Sequence, residues 1–270
     1  MSPRAPGLSR TPYAPPRTPA PPVAPGPRHN GPRRARPAEG RPRGRRAATN
    51  ADPTGSWSLV VPLKPLVRAK SRLAGAAGPL VRPRLALAFA QDTVAAALAC
   101  PAVRDVSVVT DDPVAALTLG ALGARIVPDA PAAGLNAALA YGARTVRARR
   151  PGAPVATLNA DLPALRPAEL SRVLAVASEF PRAFLPDAAE IGTTLLSAGP
   201  GVELRPAFGG ESRRRHLLSG AVEILLDGVR SVRQDVDTAD DLLAALGLGV
   251  GPRTAERWAV DARAAGGAGG

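Results

Sequence analysis

From Trp57 onward the apolar residues fall into two alternating patterns. Short continuous runs at Trp57 to Leu63, Asp105 to Thr110, Ala124 to Val127 and Ala153 to Leu158 predict buried strands. Between them, Leu80 to Cys100, Val114 to Leu122, Asn136 to Arg149 and Pro167 to Ser178 place apolar residues at helical spacing. Proline at the start of the last of these is tolerated in a first turn. The alternation predicts an α/β fold, with a Rossmann-like, mixed but mostly parallel sheet covered by helices on both faces. The rhythm then breaks. Ala183 to Pro186 and Gly192 to Ala198 are strand-like, and Asp187 to Ile191 is too short for a helical crossover. A hairpin or antiparallel insertion is expected there. A helix over Glu211 to Ser219, a strand near Val222 to Leu226 and a final helix over Thr238 to Leu246 complete the pattern, and Ala264 to Gly270 reads as a frayed end.

Before Trp57 the pattern vanishes. Residues 1–56 hold eleven arginines against Glu39 and Asp52, which is +9 of the formal +13 over 270 residues. Proline is abundant and large apolar residues are scarce, so this stretch cannot bury enough surface to offset the entropy of ordering it. The expected organisation is a disordered Arg/Pro-rich tail over 1–56, a catalytic domain over 57–260 and a flexible end over 261–270. The arginine clusters would attract nucleic acid. Tyr13 is the only aromatic residue there to stack on bases, so nucleic acid is not an expected partner. The tail also lacks the apolar run of a secretory signal. It reads as an extension shaped by GC-rich coding, or as a reading frame drawn to begin early. No stretch approaches the ~20 apolar residues that span a bilayer, and a cytoplasmic location is expected.

Composition narrows the chemistry. Cys100 is the only cysteine, and His29 and His216 are the only histidines. Thiol, zinc and Ser-His-Asp chemistry are therefore not expected, which leaves carboxylates, lysine, arginine and backbone amides. Lysine is the informative residue: among 35 basic side chains only Lys64 and Lys70 are lysines, and both follow the first strand. Where arginine suffices as a generic cation, two retained lysines point to a need for the compact ammonium. Ligands of open α/β sheets bind beyond the carboxyl ends of strands, so Lys64, Lys70 and Arg72 are placed to surround a triphosphate and stabilise leaving pyrophosphate. The alternative is a solvated basic loop. The spacing is not that of a P-loop.

Val61-Pro-Leu-Lys64, followed by Ala69-Lys70-Ser-Arg72-Leu, resembles the amino-terminal signature of the phosphoenolpyruvate/2-phospho-L-lactate guanylyltransferases of coenzyme F420 biosynthesis. The resemblance covers roughly Trp57 to Leu248 and implies the nucleotide-diphosphosugar transferase fold. It places Pro62, Gly134, Asn136 and Asn159 around the nucleotide, with Gly134-Leu-Asn136 opening a helix beside it. Asn159-Ala-Asp161-Leu-Pro163 resembles the segment that holds magnesium in this superfamily, and Mg²⁺ takes few carboxylates plus phosphate oxygens. Asp237, or alternatively Asp235, matches the second metal ligand, although Asp-x-Asp-Thr before a helix also suits simple capping. Ala239 stands where the family usually has proline. Thr194, Gly209 and Ser212 match the acceptor site, where a Gly-Gly turn exposes amide N–H groups. Arg213, Arg214, Arg215 and His216 would add attraction for a dianion, while Arg214 and Arg215 equally suit an ordinary exposed helix face.

The implied reaction is attack by the acceptor's phosphate on the α-phosphorus of GTP, with Mg²⁺ as cofactor and pyrophosphate leaving. The acceptor is phosphoenolpyruvate or 2-phospho-L-lactate, and bacterial members of the family are expected to use the former. The product is expected to pass to the next enzyme of the pathway. The competing readings are a relative acting on a sugar 1-phosphate or the molybdenum cofactor, a nucleic-acid binder driven by the tail, and a catalytically dead nucleotide sensor. Sugar-phosphate and molybdenum-cofactor relatives usually begin with a glycine-rich loop, which Lys64 to Lys70 replaces here.

Overall fold

The computed structural model describes residues 56–68 and 81–266; Lys70 and Arg72 lie outside them. In chain order the elements are β1 (Trp57–Pro62), α1 (Val81–Leu98), β2 (Val103–Val109), α2 (Pro113–Ala121), β3 (Arg125–Val127), α3 (Leu135–Arg149), β4 (Val155–Leu158), α4 (Pro167–Ala177), β5 (Arg182–Pro186), β6 (Thr193–Ala198), α5 (Ser212–Leu218), β7 (Val222–Glu223), α6 (Arg230–Arg233), α7 (Ala239–Leu248) and α8 (Pro252–Gly266). A 3-10 turn at Leu66–Arg68 follows β1.

The described strands form one sheet in the order β3-β2-β1-β4-β6-β5-β7. β1 lies inside the sheet and is parallel to both neighbours, with Val60 opposite Ser107 on β2 and Thr157 on β4. Every residue from Trp57 to Val61 is buried, as expected for a strand covered on both faces. β6 pairs antiparallel with both β4 and β5, and the expected hairpin after Pro186 is present. This reversal brings the amino end of β6 to the carboxyl end of β4, where the backbone N–H of Asn159 donates to the carbonyl of Thr194 at 3.0 Å.

One face of the sheet packs against α1, α2 and α4 through residues such as Val94, Leu119, Leu170 and Leu174. The other packs against α3 through Leu139, Ala143 and Val146, with Phe184 and Phe208. At Gly142 the helix lies so close to the sheet that an added Cβ would stand 2.6 Å from a Val60 methyl and 2.8 Å from one of Val109. A third cluster joins Leu85 and Phe89 of α1 to Val236 and to Leu242 and Ala245 of α7.

Two helices exceed the sequence expectation. α6 is a single turn, and α8 runs through the expected domain end to Gly266. Gly251, just before α8, has no side chain to cap it. Asp92 of α1 supplies the cap instead, its carboxylate accepting from the backbone N–H of Thr254 at 2.8 Å and of Arg253 at 3.3 Å. Among the described residues, no helix is long and apolar enough to cross a membrane.

Candidate active site

The carboxyl ends of β1 and β4 and the start of α3 meet along one edge of the sheet, and most of the expected site residues line it. Lys64 is exposed just beyond β1. Its loop is tied down at two points: the Leu63 N–H donates to the Val109 carbonyl at 2.9 Å, and the Leu66 N–H donates to the Asp112 carboxylate at 2.9 Å. The other oxygen of Asp112 caps α2 by accepting from Val114 and Ala115, each at 3.0 Å. Asp112 therefore fixes the lysine loop against the next strand–helix turn. The cap is legible in the local run Asp111-Asp112-Pro113, but the reach of Asp112 over 46 residues back to Leu66 is not.

After β4, the segment Asn159 to Leu165 is held from three sides. The buried Thr93 hydroxyl on α1 accepts from the Leu162 N–H at 3.0 Å. The Asp161 carbonyl accepts from the Val236 N–H at 3.1 Å, and the Pro163 carbonyl from the Gly251 N–H at 2.8 Å. These contacts set the half-buried Asp161 beside the segment that carries Asp235. The amide of Asn159 donates to the Asp235 carboxylate at 3.3 Å.

Asp235 and Asp237 separate clearly. Asp235 is half-buried and joined to Asn159. Asp237 is exposed, and its backbone N–H donates to Asp241 in the Thr238–Asp241 capping box of α7. Among the described residues no group of three or more His, Cys, Asp or Glu side chains could hold a metal. A pair of carboxylates on segments hydrogen-bonded to each other is nevertheless a donor set that fits Mg²⁺, which completes its shell with phosphate oxygens and water.

Gly134 stands at the N-cap of α3, and Asn136 in its first turn is bonded to Phe208. Its side-chain oxygen accepts from the Phe208 N–H at 2.8 Å and its amide donates to the Phe208 carbonyl at 3.1 Å. The side chain thus clamps the loop that leads into Gly209 and Gly210. Both glycines have positive φ, 93° and 48°, a turn that side-chained residues resist.

The loop's other anchor is His216 of α5. Its Nε2 accepts from the Ala207 N–H at 3.0 Å, so the ring proton is on Nδ1, 2.9 Å from the Thr193 hydroxyl. Burial, followed by the nearby charges of Arg182 and Arg215, pushes its pKa down from 6.5 to about 4. His216 is therefore neutral and structural, which corrects the expectation that it attracts a dianion.

Arg213 is likewise committed. Its guanidinium pairs with Glu223 at 2.9 Å and with Glu190 at 3.7 Å. Hydrogen bonding to Glu223 is the main reason that its pKa lies above the usual arginine value. Arg214 pairs with Glu211, whereas the Arg215 guanidinium lies beside the Gly209-Gly210 turn. Ser212 is buried. The Thr194 hydroxyl, at the seam of β4 and β6, is buried without a hydrogen bond to any described residue.

A larger open hollow of about 630 Å³ lies between α4 and the turn before β2, lined by residues such as Ala99, Pro101 and Pro167. None of the expected site residues faces it.

A mixed sheet of this order, with a lysine loop after β1 and a carboxylate loop after β4, is the fold found in solved nucleotidyltransferases. Two solved structures share the fold. A nucleotidyl transferase from Methanothermobacter matches with a TM-score of 0.52 at 22% identity, over 70% of this chain and 95% of that one. A protein described as a nucleotide-diphospho-sugar transferase from Desulfovibrio desulfuricans G20 matches with a TM-score of 0.52 at 14% identity, over 70% and 85%. The chain belongs to the family described as guanylyl transferase CofC like, whose model matches residues 57–256. Relatives named phosphoenolpyruvate guanylyltransferase include one from Streptomyces avermitilis, 74% identical over 74% of this chain and 92% of its own. Another, from Streptomyces coelicolor, is 71% identical over 74% and 94%.

Proposed function

We propose that the domain from Trp57 onward transfers GMP from GTP to phosphoenolpyruvate in coenzyme F420 biosynthesis, and that residues 1–56 are dispensable for this. The observation that carries the reading is the joining of the Asp161 and Asp235 segments at the carboxyl end of β4. The names of the relatives support the choice of acceptor.

In the reaction a phosphate oxygen of the acceptor attacks the α-phosphorus of GTP. The bond from that phosphorus to the β-phosphate oxygen breaks, and pyrophosphate leaves with the electron pair. A phosphate monoester has its second pKa near ~6, so the nucleophile is already largely dianionic at neutral pH. No general base is needed. His216, the histidine within the described residues, is bonded on both ring nitrogens and is not offered as one. Lys64, with Lys70 and Arg72 from the segment outside the described residues, neutralises the leaving phosphates. Asp161 and Asp235 would hold the magnesium ion, which would screen charge on the phosphate oxygens. Asp237 ranks behind Asp235 because its segment is occupied in capping α7. Thr194, the Gly209 turn and Ser212 receive the acceptor, and an incoming oxyanion offsets the cost of the Thr194 hydroxyl left without a partner.

The test is pyrophosphate release from GTP and Mg²⁺ with phosphoenolpyruvate, 2-phospho-L-lactate or mannose 1-phosphate supplied separately. Turnover with phosphoenolpyruvate is expected, retained on deleting residues 1–56 and lost in Asp161→Ala. Asp235→Asn is expected to lower it far more than Asp237→Asn. Turnover with the sugar phosphate alone would sink the reading.

A further inference from the structure

Where β1, β2 and β3 end, a cleft of about 80 Å³ has apolar walls from Pro62, Leu63, Val109 and Leu135. Two carboxylates line it, Asp111 from the loop after β2 and Asp129 from the loop after β3. They are linked: one Asp111 oxygen accepts from the Asp129 backbone N–H at 2.9 Å, which fixes where Asp129 stands. One oxygen of Asp129 takes a long 3.3 Å contact from the Ala132 N–H, and the other makes no hydrogen bond to a described residue. Apolar walls suit a flat ring, and a carboxylate at their edge accepts but cannot donate.

That asymmetry selects a base. Guanine presents adjacent donors, N1–H and the N2 amino group, on its Watson–Crick edge. Adenine presents one donor beside the N1 lone pair, which a carboxylate repels. We propose that Asp129 reads the guanine edge of the nucleotide and that Asp111 positions it, so that this pair sets the choice of GTP over ATP. The inference rests on the guanylyl-transfer reading and extends it to the residue that discriminates. The plainer role for Asp129 is to hold the turn that ends at Ala132. Asparagine fills that role equally well, so Asp129→Asn keeps the turn and changes only the edge presented to the base.

The edge of asparagine, one acceptor and one donor, complements xanthine, which has a carbonyl where guanine has its amino group. Binding of GTP, ITP and XTP is measured by calorimetry on the full chain and on Asp129→Asn, with thermal melting to verify the fold. For the unaltered chain ITP, which lacks the amino group, is expected to bind about 10-fold or more weakly than GTP, and XTP more weakly still. In Asp129→Asn the preference is expected to reverse in favour of XTP. Equal binding of GTP, ITP and XTP by the unaltered chain overturns the inference. So does a variant that keeps the GTP preference, or one that melts normally and binds neither nucleotide. Each of these leaves guanylyl transfer standing if GTP and phosphoenolpyruvate still yield pyrophosphate. Absence of that turnover in the unaltered chain is the separate failure of the parent reading.

Discussion

Acidification is expected to loosen the Phe208-Gly209-Gly210 loop through His216. In the fold the imidazole is neutral with its pKa near 4, while in the unfolded chain it returns to 6.5. Protonation therefore favours unfolding. The stabilisation is fully present above pH 6.5 and is lost as pH falls toward 4. At 1.36 kcal/mol per pKa unit it amounts to about 3 kcal/mol at neutral pH, of which about 2 is gone by pH 5. The damage has a location. A protonated Nε2 becomes a donor facing the donor N–H of Ala207, so the segment entering Phe208-Gly209-Gly210 loses its anchor. The assay is urea unfolding of the unaltered chain and of His216→Gln at several pH values between 7.5 and 5. The carboxylates titrate in both chains and cancel in the difference. The unaltered chain should lose about 2 kcal/mol more than the variant over this range, and its KM for the acceptor should rise before it unfolds. Curves that stay parallel within about 0.5 kcal/mol refute the reasoning, because that is the scatter expected of independent sites.

Three further substitutions separate the parts of the site. Asn136→Ala removes both bonds to Phe208 and should raise the KM for the acceptor several-fold while changing that for GTP little; the opposite split would restore Asn136 to the nucleotide. Thr93→Val leaves the Leu162 N–H without its acceptor and should cost about 1–3 kcal/mol in denaturant unfolding, with a weaker requirement-saturating response to Mg²⁺. Gly142→Ala drives a methyl into Val60 and Val109 and should destabilise by about 1–3 kcal/mol, measured by thermal melting. No loss of stability would mean that α3 can lift from the sheet without cost.

The strands were legible because burial on both faces leaves unbroken apolar runs, as in Trp57 to Val61. The hairpin was legible because Asp187 to Ile191 leaves no room for a crossover. α8 was not. Its cap comes from Asp92, 162 residues earlier, and its own sequence mixes charges with alanines. The strand expected near Val222 to Leu226 shrinks to Val222–Glu223. In the site, Gly134, Asp161 and Thr194 stand out by their flanking motifs. Nothing local shows that Asn136 spends its amide on Phe208, that Thr93 holds the Asp161 segment, or that Glu223 and Glu190 claim Arg213. The chemistry-bearing residue types were visible; which partner each one faces was decided by tertiary contacts.

The cap that Asp92 gives to α8 also orders the events of biosynthesis. Its carboxylate is only 2% exposed in the finished domain and is matched there by Thr254 and Arg253. At about 5–20 residues per second, the ribosome makes those partners roughly 10–30 s after Asp92. Burying a lone carboxylate costs several kcal/mol, so this side of α1 stays hydrated throughout that interval. The sheet can assemble while the chain is still being synthesised, but the domain closes around α1 only after its last helix has emerged.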